Sequence, residues 1–114
     1  MTLLHDSMPW REARRDAEWR FYLDQAGLGA VDSDRGHYFN RADLAMEAAA
    51  AGLGVALARG CLIDKDLDRG RLVAPLPALP SCCTYYLIHR PGALDNARLR
   101  VFFDWLLQLP DTTL

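Results

Sequence analysis

Apolar and polar residues follow one another along the chain in blocks that predict short strands separated by helices. Short apolar runs bounded by turn-forming residues predict strands over 2–5, 36–39, 53–58 and 83–89, with a brief further one at Leu72–Val73. Helical spacing predicts a first helix that begins at Pro9 and ends at Gly27, and a second that begins after Asn40, whose side chain would cap it.

The second half of the chain continues this alternation after an interruption. Residues 61–67 predict a short helix, and three prolines between 75 and 80 predict an extended connector. Asp95 or Asn96 would cap a last helix that ends before Pro110. The order βαβαβ, linker, βα predicts an α/β protein with a parallel sheet covered by helices, resembling one lobe plus a returning piece of another.

Composition narrows the class of protein. The chain has 114 residues and a mass of 12.8 kDa, so a compact fold would expose about 6,300 Å² of the roughly 18,600 Å² that the unfolded chain presents. A net charge of −2 excludes strong sequence-independent attraction to nucleic acid. The sequence has no apolar run long enough to cross a bilayer and no signal peptide, which predicts a cytoplasmic protein without a membrane partner.

The sequence has few motifs that are typical of metal binding, catalysis or nucleotide binding. The three cysteines lack the spacing of a zinc site, so we expect reduced thiols, no metal and no cofactor. No serine lies in a glycine-framed elbow, and Gly52–Gly54 follows a helix where a dinucleotide-binding loop would precede one. We therefore expect no catalytic residues and a protein that is not an enzyme.

Several segments, in order, resemble one family. They are Leu3–His5, Phe39–Ala45, Glu47–Leu57, Asp66–Pro75, Tyr85–Ile88 and Phe102–Leu106. This ordered set resembles the effector-binding domain of LysR-type transcriptional regulators, with the glycine cleavage activator subgroup as the nearest match. The resemblance covers nearly the whole chain, although no single segment is diagnostic.

The resemblance implies part of a type II periplasmic-binding-protein fold, in which two α/β subdomains close on a small molecule. Residues 1–80 would form the second subdomain and the crossover, 81–109 would return a strand and a helix to the first subdomain, and 110–114 would be a tail. On this interpretation the chain is a C-terminal fragment of a regulator, and contact with DNA belongs to an N-terminal domain that is missing from it.

Candidate effector-binding residues lie where strands lead into helices. The helix openings at 7–10 and 40–42 should both lie at the carboxyl ends of their strands, where backbone donors and the helix dipole favour an anionic metabolite. We expect effector contacts from His5, Trp10, Asn40, Arg41, Ala42 and Arg59. For these residues a structural role remains an alternative: a helix cap for Asn40, a satisfied histidine for His5, and solvated side chains for Arg41 and Arg59.

The leading functional hypothesis is a small-molecule effector-sensing and dimerisation module whose parent regulates transcription. The returning strand and helix would lack their native subdomain, so their apolar faces predict a homodimer. One alternative is a self-associating module that binds no ligand. Another is a small solute-binding protein or enzyme of similar fold.

Overall fold

Three short strands and four helices form the described part of the chain. The computed structural model describes residues 1–81 and 86–109. The elements in order are β1 (Leu3–Asp6), α1 (Ala17–Gln25), β2 (His37–Phe39), α2 (Ala42–Ala50), β3 (Val55–Ala56), α3 (Gly60–Asp68), a 3-10 turn (Ala93–Asp95) and α4 (Ala97–Gln108). Within these residues no helix is both long and apolar enough to cross a membrane.

The strands form one parallel sheet in the order β2-β1-β3. His5 pairs with Tyr38 in the register of β1 and β2, and Leu3 pairs with Val55 in that of β1 and β3. The chain steps from β1 to β2 in one direction and from β2 to β3 in the other. Because such crossovers are right-handed, α1 and α2 cover opposite faces of the sheet, which gives three layers and agrees with the predicted parallel sheet covered by helices.

The core lies between the sheet and α1. Leu3, Trp19 and Leu23 form its buried cluster, with Val55 and Leu57 packed against it. The Trp19 indole Nε1 donates a buried hydrogen bond of 2.9 Å to the backbone oxygen of Leu4, which fixes α1 to the central strand.

Two glycines allow the strands to approach this closely. A Cβ at Gly54 would overlap the backbone oxygen of Thr2, the same oxygen that accepts the hydrogen bond from Val55 N. A Cβ at Gly36 would overlap the backbone oxygen of Leu3, and Gly36 also has a positive φ of 123°. Both sites therefore require a residue without a side chain.

The first helix begins later than the sequence predicts. The prediction of a helix from Pro9 is wrong, because Glu12 has a positive φ of 61° and residues 7–16 form bends, turns and irregular backbone. Asp16 immediately precedes α1, but its carboxylate does not cap the helix. It accepts a hydrogen bond from Ser33 instead, and this pair is buried.

Other local predictions also need correction. The N-cap of α2 is Arg41 in extended conformation, so Asn40 is not the cap, and the Arg41 side chain makes no capping hydrogen bond. β3 is only two residues long and half-buried on average, where a longer strand covered on both faces was expected. Residues 72–73 form no strand.

In the last quarter of the chain the predicted helix is present, but the described part of the predicted strand is not. Asn96 caps α4, as one of the two predicted caps, through its Oδ1, which accepts from Arg98 N at 3.0 Å and Leu99 N at 3.4 Å. Of the predicted strand over 83–89, residues 83–85 lie outside the described residues, and 86–89 are exposed and not in a strand. The apolar stripe of α4 holds no buried residue.

The chain is consequently less compact than its length predicts. Its accessible surface is 8710 Å², against about 6,300 Å² for a compact protein of this mass. Its radius of gyration is 17.0 Å, against about 13 Å for a globular chain of this length. The expectation that a compact fold buries two thirds of the surface is therefore wrong for this chain alone.

Candidate functional site

The order of the strands places a crevice at one edge of the sheet. After β1 the chain turns toward α1 and β2, whereas after β3 it continues away on the other side of the central strand. Loops that diverge from two adjacent parallel strands leave a crevice at their carboxyl ends, where open α/β sheets bind ligands. The carboxyl ends of β1 and β3 are therefore the first place to look for a site.

A cleft of about 100 Å³ occupies this position. The loop after β1, the first turns of α1, the loop after β3 and the proline-rich segment each contribute to its walls. The lining residues are Trp10, Glu18, Phe21, Tyr22, Leu57, Ala58, Arg59, Leu79, Pro80 and Ser81. Its walls are thus mostly apolar and aromatic, with one acidic and one basic side chain.

Local hydrogen bonds hold the walls in place. Ser7 leaves β1 with both its backbone N and its Oγ donating to Phe39 O, at 2.8 and 2.9 Å, which fixes the start of the loop that carries Trp10. On the opposite wall the Tyr22 hydroxyl donates to Pro77 O at 2.8 Å. This bond anchors the proline-rich segment, which has few backbone donors of its own, against α1.

The charged pair in the cleft is Glu18 and Arg59. Arg59 Nη2 lies 3.5 Å from Glu18 Oε1, and the two side chains are about one quarter and one fifth exposed. Burial raises the pKa of the Glu18 carboxyl, while Arg59 opposes that rise and Asp6 adds to it. The cleft therefore holds a cation beside a carboxyl group whose ionised form is less stable than it would be in water.

Two of the six predicted site residues meet here. Trp10, 40% exposed, and Arg59 both line the cleft, although they lie far apart in the sequence. Glu18 was missed, because its position among alternating arginines and acids is typical of a solvated helix face. Only the location of α1 relative to β3 places it in the cleft.

His5 lies in the central strand and does not line the cleft. It is 2% exposed, its ring stacks on Tyr38 with centroids 4.3 Å apart, and its Nε2 donates to Arg35 O at 2.9 Å. The Arg15 guanidinium carbon also lies over the Tyr38 ring, 4.5 Å from its centroid, and Arg15 pairs with Asp34 through two hydrogen bonds. This arrangement is that of a structural histidine with its partners in place.

Tyr38 is held by the same group of side chains. Its hydroxyl lies 2.6 Å from the backbone oxygen of Asp34 and 2.8 Å from its Oδ1. Burial, with added contributions from the Asp34 carboxylate, raises the pKa of Tyr38 to about 12. The phenol therefore stays neutral throughout the ordinary pH range and acts as a hydrogen-bond donor.

The opening of α2 lies at the carboxyl end of β2 and does not line the cleft. Asn40 and Arg41 are exposed, and Ala42 is half-buried. Arg41 is already paired with Asp43 of the same helix, with Nη2 to Oδ2 at 2.6 Å and Nε to Oδ1 at 3.0 Å. Arg41 lowers the pKa of the Asp43 carboxyl through these bonds, so a ligand carboxylate at Arg41 would have to replace an existing bidentate partner.

Comparison with known proteins gives a consistent family assignment. The chain is 33% identical over 107 residues to the "Glycine cleavage system transcriptional activator" of Escherichia coli K12, which covers 93% of this chain and 33% of that protein. It is 34% identical over 114 residues to the "HTH-type transcriptional regulator DsdC" of the same strain, covering 98% of this chain and 36% of the relative. A homologue of the first from Haemophilus influenzae is 27% identical over 90 residues, covering 78% of this chain and 30% of the relative.

This chain thus spans about a third of the length of the curated relatives it matches. No solved structure gave a significant match. The family model for the LysR substrate-binding domain matches residues 6–110, nearly the whole chain. With its three-layer parallel sheet and this match, the chain belongs to the LysR substrate-binding-domain family, whose fold is periplasmic-binding-protein-like.

Proposed function

We propose that this chain senses a small anionic metabolite as the effector-binding part of a transcription regulator, and that the cleft between the carboxyl ends of β1 and β3 is where the metabolite binds. The observation that carries this proposal is the position of Arg59 and Trp10. Two separate loops bring them together at the one point of the sheet where the connections diverge.

The chemistry of the cleft favours a carboxylate attached to a small apolar group. The Arg59 guanidinium pairs with the carboxylate, and Trp10 and Tyr22 pack against the apolar part. A volume of about 100 Å³ equals roughly three water molecules. The cleft therefore has room for the carboxylate of the ligand and the atoms next to it. The remainder of a larger ligand would lie outside the cleft.

Glu18 lowers the affinity of the cleft for an anionic ligand. The ligand carboxylate competes for Arg59 with Glu18, whose Oε1 lies 3.5 Å from Arg59 Nη2. Because burial raises the pKa of Glu18, its carboxyl takes up a proton more readily as the pH falls, and the protonated carboxyl competes less for Arg59. An anionic ligand should thus bind more tightly as the pH falls, until the ligand itself is protonated.

The effector would act by its different affinities for two arrangements of the protein. The similar proteins are named as transcriptional regulators, and the corresponding role of this chain is to pass effector binding to a DNA-binding domain. Under this proposal the chain performs no catalysis and uses no cofactor, DNA is contacted only by that other domain, and the regulator works in the cytoplasm.

Calorimetric titration with amino acids and aromatic carboxylic acids tests the site. At least one acid should bind the natural chain, and Arg59→Gln should weaken that acid about tenfold or more, the effect of losing a charge-assisted hydrogen bond. Arg41→Gln is the matched control, because it removes an equally charged side chain from the opening of α2. Loss of binding in Arg41→Gln but not in Arg59→Gln would place the effector at Asn40–Ala42 and contradict the proposal.

We propose in addition that the chain self-associates as a homodimer, and that it is organised as residues 1–80, a subdomain with its crossover, followed by a returning strand and helix over 81–109 and a tail over 110–114. The proline-rich connector and the exposure of α4 support this organisation. It predicts that 81–109 contribute little to the stability of the sheet.

A further inference from the structure

Tyr22 joins the core of the protein to the proline-rich segment over 73–81. Its ring packs edge-on against the indole of Trp19, with ring centroids 5.8 Å apart, and Trp19 is itself buried and bonded to Leu4 O. From this fixed ring the hydroxyl donates to Pro77 O at 2.8 Å. A short series of contacts therefore runs from the central strand, through α1, to the middle of the proline-rich segment.

The proline-rich segment is exposed and irregular apart from one residue. Residues 73–81 form neither a helix nor a strand, and among them Leu79 alone is half-buried. Leu79 lines the cleft together with Pro80 and Ser81, and these three residues are called the 79–81 wall below. Exposed segments without regular backbone hydrogen bonding are among the least stable parts of a fold. The contacts that hold this segment therefore decide how often the 79–81 wall is in place.

The prolines allow a single anchor to position the whole wall. Pro75, Pro77 and Pro80 each restrict φ to about −65°, and each also restricts the residue before it. Such a segment behaves as a semi-rigid extended spacer. Holding Pro77 O consequently sets the position of Leu79 two residues later, whereas in a flexible segment the same bond would order only its immediate neighbours.

The hydroxyl of Tyr22 has a role separate from that of an aromatic wall. Phe21, the preceding residue, also lines the cleft and has no hydroxyl, so contact with an apolar ligand does not require one. The Tyr22 hydroxyl is engaged with Pro77 O. Its effect on a ligand is therefore exerted through the proline-rich segment.

We propose that Tyr22 is a positioning residue, which holds the 79–81 wall in place through Pro77 before a ligand arrives, so that the cleft is preformed. This inference rests on the proposed effector site and adds a residue that controls how well the site is formed. The net contribution of a neutral hydrogen bond corresponds to roughly a three- to tenfold change in an equilibrium constant. The apparent dissociation constant of a ligand that needs the wall rises as the fraction of molecules with the wall in place falls.

The methyl resonances of Leu79 measure the position of the wall without any ligand. Aromatic rings in the cleft displace these resonances from the values of an unfolded leucine, and fast loop motion averages the displacement over closed and open positions. Tyr22→Phe keeps the ring and removes the hydroxyl, so it should reduce the displacement at Leu79. Leu57 lines the same cleft but packs against the core, and its resonances should not change.

Tyr86→Phe is the matched control, because it removes the same hydroxyl from a residue that is 80% exposed. It should leave the resonances of both leucines unchanged. Unchanged Leu79 resonances in Tyr22→Phe would overturn the inference.

Titration with the panel of amino acids and aromatic carboxylic acids then tests the coupling to binding. An acid that binds the natural chain should bind Tyr22→Phe more weakly, by up to about tenfold. At saturation it should return the Leu79 resonances of the variant toward their natural positions, because a ligand that needs the wall shifts the population toward it.

A hydroxyl that only stabilised the fold would leave the affinity of folded molecules unchanged, and that result would also overturn the inference. If no acid of the panel binds the natural chain, the proposed effector site is overturned instead. The Leu79 resonances without ligand then still decide whether Tyr22 positions the wall.

Discussion

The buried hydrogen bond between Ser33 and Asp16 offers a quantitative test of how the fold is held. Ser33 Oγ donates to Asp16 Oδ2 at 2.8 Å, and the two residues are 1% and 2% exposed. The bond joins the loop before β2 to the residue before α1. Ser33→Ala leaves a buried carboxylate oxygen without this donor, although Arg14 Nε still lies 3.2 Å from the other oxygen.

The expected cost follows from the charge of the acceptor. Hydrogen bonds to ionised groups contribute about 1.5 to 3 kcal/mol, so Ser33→Ala should lower the free energy of unfolding by about 2 kcal/mol at neutral pH. This corresponds to roughly a thirtyfold change in the unfolding equilibrium.

The same bond makes the loss depend on pH. The Ser33 hydroxyl is the main cause that lowers the pKa of Asp16 below its ordinary value of 3.8. A lowered folded-state pKa contributes stability that is present above the unfolded value and is lost as the pH falls through the folded value. The difference between the natural chain and Ser33→Ala should therefore be largest at neutral pH and shrink in strong acid.

Urea unfolding followed by tryptophan fluorescence, at neutral pH and below the ordinary pKa of aspartate, measures both effects. Thr2→Ala, which removes an exposed hydroxyl, is the control and should leave stability unchanged. A loss of stability in Ser33→Ala that is the same at both pH values would refute the charged hydrogen bond as its cause.

Two further outcomes test the sheet. Gly54→Ala should prevent stable pairing of β1 with β3, because the added Cβ overlaps Thr2 O and this oxygen must move away from Val55 N; a circular dichroism melt of this variant that matches the natural chain would contradict the close approach. Tyr38→Phe should remove the tyrosine step near pH 12 from an ultraviolet absorbance titration, and the reasoning fails if that step persists.

The general architecture could be predicted from sequence because it depends on local patterns. Alternating strand and helix signals predict a parallel sheet with helices on both sides, and β1, β2 and α2 lie close to where the residue pattern predicts them. The prediction that Asn40 caps α2 was wrong by one residue. The β-region conformation that a cap requires occurs one residue later, at Arg41, and the sequence alone does not reveal such a shift.

The start of α1 and the acidic residue of the cleft could not be predicted, because both depend on contacts distant in sequence. Asp16 has a capping side chain, but Ser33 occupies its carboxylate, seventeen residues further along the chain. Glu18 has the neighbours of a solvated residue, yet α1 places it against Arg59. Trp10 and Arg59 were predicted from their positions after strands. Residues that follow parallel strands lie at the carboxyl edge of the sheet even where the helix that comes next begins later than expected.

Amide chemical-shift mapping by ¹H–¹⁵N nuclear magnetic resonance, with an added panel of amino acids and aromatic carboxylic acids, tests the central claim most directly. The account predicts that a binding acid shifts the amides of Trp10, Arg59 and Ser81 and leaves those of Asn40 and Arg41 unchanged. Shifts concentrated at Asn40 and Arg41, or no shift with any acid of the panel, would contradict an effector site between the carboxyl ends of β1 and β3.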